Sequence, residues 1–211
     1  MKSDSPAVVS WRAAVRESSA LMIPVPAAMY GGFVTTQPKL PAEKFVIQDD
    51  PFHSGSKLCC IPTPEIDTAI IHAQMASPDG TVRIMGASFQ DVDIAMAAKH
   101  TIVSCEELVD NEEIRRHPEL NALTGLCVDA VVHAPCGAHP SQCFNYYDYD
   151  SQYYLMYDRV SRTQEEFDKF IEEYVNDCPT HMEYLNKIGA GRLQELKIKP
   201  GYGYVPGLKR R

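Results

Sequence analysis

Two histidines and two cysteines fall within eleven residues in His133-Ala134-Pro135-Cys136-Gly137-Ala138-His139-Pro140-Ser141-Gln142-Cys143. Imidazole and thiolate are the donors zinc takes in tetrahedral sites, so a metal centre is the first chemistry to weigh. The spacing H-x2-C-x2-H-x3-C argues against it. Structural zinc sites draw on two separated knuckles with slack to close a tetrahedron, whereas here one tight Pro/Gly loop would carry all four ligands. No metal is expected. The competing reading is a loop at the carboxyl end of the strand ending at Val132, the edge of an open α/β sheet where ligands sit. Gly137 lets backbone approach a ligand closely, and His139 can donate a hydrogen bond to it. A purely structural loop fits the same residues.

Ile71-His72-Ala73-Gln74 puts two polar side chains at i and i+2 of an apolar run, hence on one strand face. A histidine there is ordinarily a satisfied core group; beside Gln74 it also fits a polar strand end facing a cleft. Phe89-Gln90-Asp91 opens a helix whose N-terminus suits an anion, although Asp91 as its cap would occupy the same amides. Gly31-Gly32-Phe33-Val34 marks a glycine turn after a Pro-broken strand. The tyrosines at 146, 147, 149, 153, 154 and 157 fit an interface or a surface-packed loop. Glu106 and Glu107 follow an apolar strand, and the start of a helix is their simplest home. The sequence holds no GxxxxGK[ST], no GxGxxG after a strand, no HExxH and no GxSxG, which removes P-loop, dinucleotide, zincin and nucleophile-elbow chemistry.

The elements that must carry these residues alternate in type. Strands are expected at Leu21–Val25, Lys44–Gln48, Lys57–Pro62, Thr68–Ala73, Thr81–Met85, Thr101–Cys105 and Val128–Val132. A turn at Ser77-Pro78-Asp79-Gly80 and a helix over Asp91–Lys99 separate the middle ones. Trp11–Arg16 would fit a further short helical stretch. Strands alternating with helices imply an open, mostly parallel α/β sheet flanked by helices. The last third is helical, over about residues 161–198. Thr163 and Glu166 suit a capping box, Phe167, Phe170, Ile171, Tyr174 and Val175 share a face, and a second helix spans Met182–Leu196, slackened by Gly189 and Gly191.

With 211 residues, 45% of them hydrophobic, the chain reads as one domain over residues 1–211 that needs no disulfide or metal staple. A net charge of -8 disfavours nucleic-acid and anionic-membrane partners. No apolar run reaches the roughly 18 residues of a membrane span, and Met1 to Pro6 lacks a signal-peptide core, so a cytoplasmic location is expected. The seven cysteines, odd in number and without a CxxC, are expected to be reduced and mostly buried.

Longer stretches resemble the pattern of the A-type subunits of family I coenzyme A transferases: Asp67-Thr68-Ala69-Ile70-Ile71-His72-Ala73-Gln74, Ser77 through Ile84, Phe89 through Ala95, Lys99 through Glu107, and Val128 through Val132. Gly137-Ala138-His139-Pro140-Ser141 narrows the likeness to the glutaconate CoA-transferase type, and the YDYD run and Glu183-Tyr184-Leu185-Asn186-Lys187 help extend it to about residue 200. The resemblance implies an open α/β fold, a partner B-type CoA-transferase subunit, and acyl-CoA and carboxylate substrates. It also implies cytoplasmic acyl-CoA metabolism of the amino-acid fermentation kind, in a hetero-oligomer. The implied reaction is a ping-pong exchange through a glutamyl-CoA thioester, with coenzyme A as substrate and no cofactor.

In such enzymes the nucleophilic glutamate lies on the B-type subunit, in a Ser-Glu-Asn-Gly motif. That motif is absent here, so no catalytic residue is assigned to this chain. The cleft wall is expected to be drawn from Gly31, Gly32, His72, Gln74, Phe89, Gln90, Gly137 and His139. The family's A-type chain carries further N-terminal sequence. This chain is therefore expected to be a truncated or split form of it, one that a separate N-terminal piece would complete. Two alternatives are a component of a related hydrolase of cyclic CoA thioesters and a non-catalytic partner-binding fragment.

Overall fold

Pairing of short β-branched runs organises the chain in the computed structural model, which describes residues 20–24, 46–62 and 66–209. The expected helix at Trp11–Arg16 and the Gly31-Gly32-Phe33 turn lie outside these residues. The chain divides into two units. The first holds an antiparallel sheet in the order β1-β3-β2, from β1 (Ala20–Pro24), β2 (Val46–Asp49) and β3 (Lys57–Pro62). The turn between β2 and β3 is held by Asp50, whose carboxylate accepts the N–H groups of Phe52 and His53, with Gly55 at φ 84°.

The second unit is built on a sheet in the order β5-β4-β6-β7: β4 (Thr68–Ala76), β5 (Val82–Arg83), β6 (His100–Leu108) and β7 (Ala130–His133). β4, β6 and β7 run parallel, with His72 opposite Ser104 and Ser104 opposite Val132. β5 joins antiparallel at the edge, Ala76 opposite Val82. The turn into β5 closes with Gly80 at φ 86°, and the Asp79 carboxylate accepts from Ser77 Oγ at 2.6 Å and from Arg115 at 2.6 Å. Burial alone would raise that carboxyl, but these donors and Thr81 hold it well below the ordinary range.

Alternation sorts the sheet's two faces. Ile71 and Ala73 of β4 and Val103 and Cys105 of β6 pack into a core with Val82, Leu123 and Ala95 of α1 (Asp91–Ala97). Val82 and Val103 are fully buried, each contributing roughly 1.5–3 kcal/mol. Asp91 lies inside the first turn of α1, rather than ahead of it as a cap. His72, Gln74, Ser104 and Glu106 alternate with these core residues.

β6 is longer than the sequence indicates: it runs through Glu106 and Glu107 to Leu108, and the next helix, α2, starts only at Asn111 (Asn111–Arg115). The expectation that the two glutamates open a helix is therefore corrected. Parallel pairing explains the extension, since Met75 and Ala76 of β4 pair with Glu107 and Leu108.

The C-terminal helices are α3 (Ser151–Val160), α4 (Gln164–Ile171) with a π-helical continuation over Glu172–Asn176, α5 (His181–Ile188) and α6 (Ala190–Leu196). The single helix expected from Met182 to Leu196 is two, broken where Gly189 takes φ 90°. Thr163 accepts the N–H of Glu166, but the reciprocal box forms one helix later, between Thr180 and Glu183. Phe170 stacks on Phe167 and Tyr174, and Tyr157 meets Phe167 and Phe170 edge to face, at centroid spacings of 5.1–6.3 Å.

Candidate functional site

The parallel register of β4 and β6 sets His72 against two residues of the neighbouring strand. His72 Nδ1 lies 2.8 Å from Ser104 Oγ, and Nε2 lies 2.7 Å from Glu106 Oε1. Glu106 has only 4% of its side chain exposed, so its charge needs compensation. Besides His72, the Tyr147 hydroxyl donates to Oε1 at 2.6 Å, and the Cys136 backbone N–H donates to Oε2 at 2.7 Å. Burial pushes the Glu106 carboxyl up, but these donors outweigh it and hold it below its ordinary value. The Tyr147 hydroxyl is pushed upward by burial and by Glu106, and itself accepts the Ala138 N–H at 2.8 Å. Cys136 presents its N–H with φ 58°, a left-handed conformation set by the Pro135-Cys136-Gly137 turn.

In front of this pair lies a cleft of about 600 Å³ within the second unit, lined by His72, Gln74, Met85, Phe89, Cys143 and Phe144 among others. Gln74 ties its walls together. Its Oε1 accepts the Met85 N–H at 2.8 Å, and its amide donates to the carbonyls of Met85 and Phe144, both at 3.3 Å. Phe89, at φ 45° and 88% exposed, offers an open apolar edge. Asp91 also lines the cleft, its carboxyl raised by burial. Cys143 is buried, and desolvation followed by the nearby Glu106 charge pushes its thiol up to about 12.

His139 takes a different place from the one expected of it. Its side chain is 1% exposed and is not among the residues lining the cleft. Nε2 lies 3.1 Å from Asp150 Oδ2, and Nδ1 lies 2.7 Å from the Tyr184 hydroxyl. Asp150 is in turn gripped by Arg192 at two points, 2.6 and 3.1 Å, and caps α3 through the Tyr153 N–H. Burial lowers the His139 pKa, opposed by Asp150. The Asp150 carboxyl, which burial alone would raise, is held at about 2 by Arg192, Tyr153 and His139. This hub ties the Gly137–Ser141 loop to the C-terminal helices.

Of the other expected residues, His72, Gln74 and Phe89 line the cleft. Gly137 lies under the His72 ring: a Cβ there would sit 2.9 Å from His72 Cε1 and 2.7 Å from the Ala134 carbonyl oxygen. Gln90 is exposed outside the lining, its carbonyl accepting the Ile94 N–H. Gly31 and Gly32 fall outside the described residues. Among the four His and Cys residues first weighed as a zinc set, His133 donates to the Glu106 carbonyl at 3.1 Å and His139 is held by Asp150.

Sequence reasoning missed Glu106, Ser104 and Tyr147. Ser104 and Glu106 stand at i and i+2, the same spacing that singled out His72 and Gln74. Ending the strand at Cys105 hid that signal.

Residues 30–134 match the family model described as coenzyme A transferase. The chain is 60% identical over 169 residues to the A-type subunit of glutaconate CoA-transferase from Acidaminococcus fermentans, covering 80% of this chain and 53% of that protein. It is 35% identical over 145 residues to the A-type subunit of 3-oxoadipate CoA-transferase from Pseudomonas knackmussii, covering 66% and 49%. The crystal structure of glutaconate coenzyme A-transferase from Acidaminococcus fermentans matches with a TM-score of 0.80 at 51% identity, over 94% of this chain and 65% of that one. The chain spans about half the length of these curated relatives. Among the described residues, no helix is long and apolar enough to cross a membrane.

Proposed function

The chain belongs to the coenzyme A transferase family, and from that premise we propose that it is the A-type, non-nucleophilic half of a glutaconate-type CoA-transferase. It moves CoA between an acyl-CoA such as glutaconyl-CoA and a carboxylate such as acetate, in the cytoplasm, within acyl-CoA metabolism of the fermentative kind. The observation that carries the reading is the 60% identity sustained over 169 residues with the corresponding half of that enzyme.

In the proposed reaction a glutamate carboxylate, carried by a partner B-type subunit, attacks the thioester carbonyl, and CoA thiolate leaves to give an acyl-glutamyl anhydride. The thiolate then attacks the glutamyl carbonyl, releasing the acyl group as a carboxylate and leaving CoA on the glutamate as a thioester. The acceptor carboxylate runs both steps in reverse. Splitting the exchange this way avoids one difficult displacement. CoA is a substrate, and the exchange calls for no cofactor.

This chain's part is to wall the pocket. Gln74 fixes the separation of the Met85 and Phe144 segments, His72 supplies a polar point held from behind by Glu106, and Phe89 offers an apolar edge. Such positioning lets binding energy lower the barrier. The association with a partner chain is supported by the parallel strands themselves: Ile70 of β4 is 76% exposed and Val132 of β7 is 47% exposed, whereas parallel sheets are ordinarily covered on both faces.

The test is co-expression with a B-type subunit of the family, followed by copurification and a CoA-exchange assay between glutaconyl-CoA and acetate. Exchange by the complex supports the proposal. Hydrolysis without exchange replaces it with the thioester-hydrolase alternative, and failure to copurify removes it.

A further inference from the structure

The side chains at the back of the cleft, His72 and Glu106 of the pocket wall among them, also form a convergent donor set. Among the described residues, one ligand atom each from His72, Glu106 and Cys143 lie within 4.8 Å of one another. They come from β4, β6 and the loop after β7, so their convergence is a product of the fold rather than of sequence spacing. His72 and Cys143 both line the cleft, which leaves the side away from Glu106 open to an exogenous ligand.

We propose that His72, Glu106 and Cys143 form a binding site for one zinc-class divalent cation, with its fourth coordination position open to the cleft. Imidazole, carboxylate and thiolate together suit a borderline cation such as Zn²⁺ or Co²⁺. Mg²⁺ and Ca²⁺ favour an all-oxygen shell, and Cu⁺ a sulfur-rich one.

The surroundings are those such a site requires. A ligating histidine is fixed by a partner on its other nitrogen, and here Ser104 Oγ lies 2.8 Å from His72 Nδ1. The Ser104 hydroxyl is itself directed to the Ile71 carbonyl at 3.4 Å, which leaves a lone pair to accept from Nδ1–H. The carboxylate is oriented by the Tyr147 hydroxyl and the Cys136 N–H. Between His72 Nε2 and Glu106 Oε1 a proton now bridges 2.7 Å. The cation takes that proton's place on Nε2, the imidazole then carries its one proton on Nδ1 facing Ser104, and the Cys143 thiol proton leaves to solvent. With bonds of about 2.0–2.3 Å, the edges of the coordination tetrahedron are about 3.3–3.6 Å, so the nitrogen and oxygen, now 2.7 Å apart, part by about half an ångström, while the sulfur, within 4.8 Å of both, closes by no more than about 1.5 Å.

Three ligands and an open position make a site that holds water or a carboxylate in the cleft. The binding is measurable on this chain alone, without the transfer reaction.

The experiment titrates the full chain, reduced and stripped by a chelator, with Co²⁺. The expected result is one equivalent bound, with a thiolate-to-cobalt charge-transfer band that Zn²⁺ displaces. Cys143→Ser abolishes the band, whereas Cys59→Ser, in the other unit, retains it. Ser104→Ala weakens Co²⁺ binding by roughly 10-fold or more through loss of the histidine's orientation. Should Cys143→Ser fail to fold by circular dichroism, Ser104→Ala decides: a 10-fold loss supports the site and an unchanged affinity overturns it. Absence of the band in the parent chain, or its persistence in folded Cys143→Ser, also overturns the proposal.

Discussion

His72 and Glu106 stand 34 residues apart in the chain and 2.7 Å apart in space, joined across adjacent parallel strands. The pair makes Glu106 a buried charge with three donors rather than a solvated surface acid. Glu106→Ala strips the acceptor from His72, Tyr147 and the Cys136 N–H at once, and is expected to cost about 3–5 kcal/mol in a denaturant melt. Glu106→Gln keeps the shape and one acceptor and costs less. A Glu106→Ala chain that melts like the parent would show that the three donors contribute nothing.

Gly137 sets how closely the loop can approach the His72 ring. Alanine there meets the Ala134 carbonyl oxygen at 2.7 Å and His72 Cε1 at 2.9 Å, contacts that force a shift. Gly137→Ala is expected to destabilise the chain by about 1–3 kcal/mol and to move the His72 imidazole signals in an NMR spectrum.

Gly191 makes the opposite prediction. It lies within α6 with nothing within 4 Å of an added Cβ and without a positive φ. Gly191→Ala is therefore expected to stabilise by about 0.5–1 kcal/mol, read as a raised melting temperature.

Asp150 gives a pH dependence with a defined sign. Its carboxyl falls from 3.8 to about 2 on folding. A depressed folded pKa contributes stability that is complete above the unfolded value and lost as pH falls through the folded one. The window is therefore about pH 4 down to about pH 2, and the contribution is about 2 kcal/mol. Asp150→Asn should lower stability at neutral pH and flatten the acid limb of the stability curve. An unchanged limb would mean that Arg192 does not hold the carboxylate charged.

His139→Ala is expected to weaken a complete complex more than Cys136→Ala, and the structure supplies the reason. His139 bridges Asp150 and Tyr184, whereas the Cys136 contribution to Glu106 comes from its backbone. The loss should appear as a lower melting temperature, with activity per folded complex retained. A raised KM in a complex that melts normally would instead place His139 against substrate.

Much of the second unit was legible because its signals are local. Thr68–Ala73 reads as a buried apolar strand, and β4 runs three residues further, to Ala76; Ser77-Pro78-Asp79-Gly80 turns, and α1 follows its periodicity. The site was only partly legible. His72 and Gln74 announced themselves by spacing, but Glu106 was hidden when β6 was ended at Cys105, since the pairing that extends it comes from β4. His139 looked available from its tight Pro/Gly loop, and only the fold reveals that Asp150, Tyr184 and Arg192, 11 to 45 residues away from it or its partner, enclose it. Gly189 read as slack in a helix is in fact its end, because backbone conformation at φ 90° is not encoded in composition.

The proposed division of labour between two polypeptides is tested most directly by locating the covalent intermediate. The complex with its B-type partner is incubated with glutaconyl-CoA and no acceptor, and both chains are weighed by intact mass spectrometry. The account predicts a CoA adduct on the partner, discharged by acetate, and none on this chain. A CoA or acyl adduct on this chain, at Glu106 or Asp91, or thioester turnover by this chain alone, would contradict it.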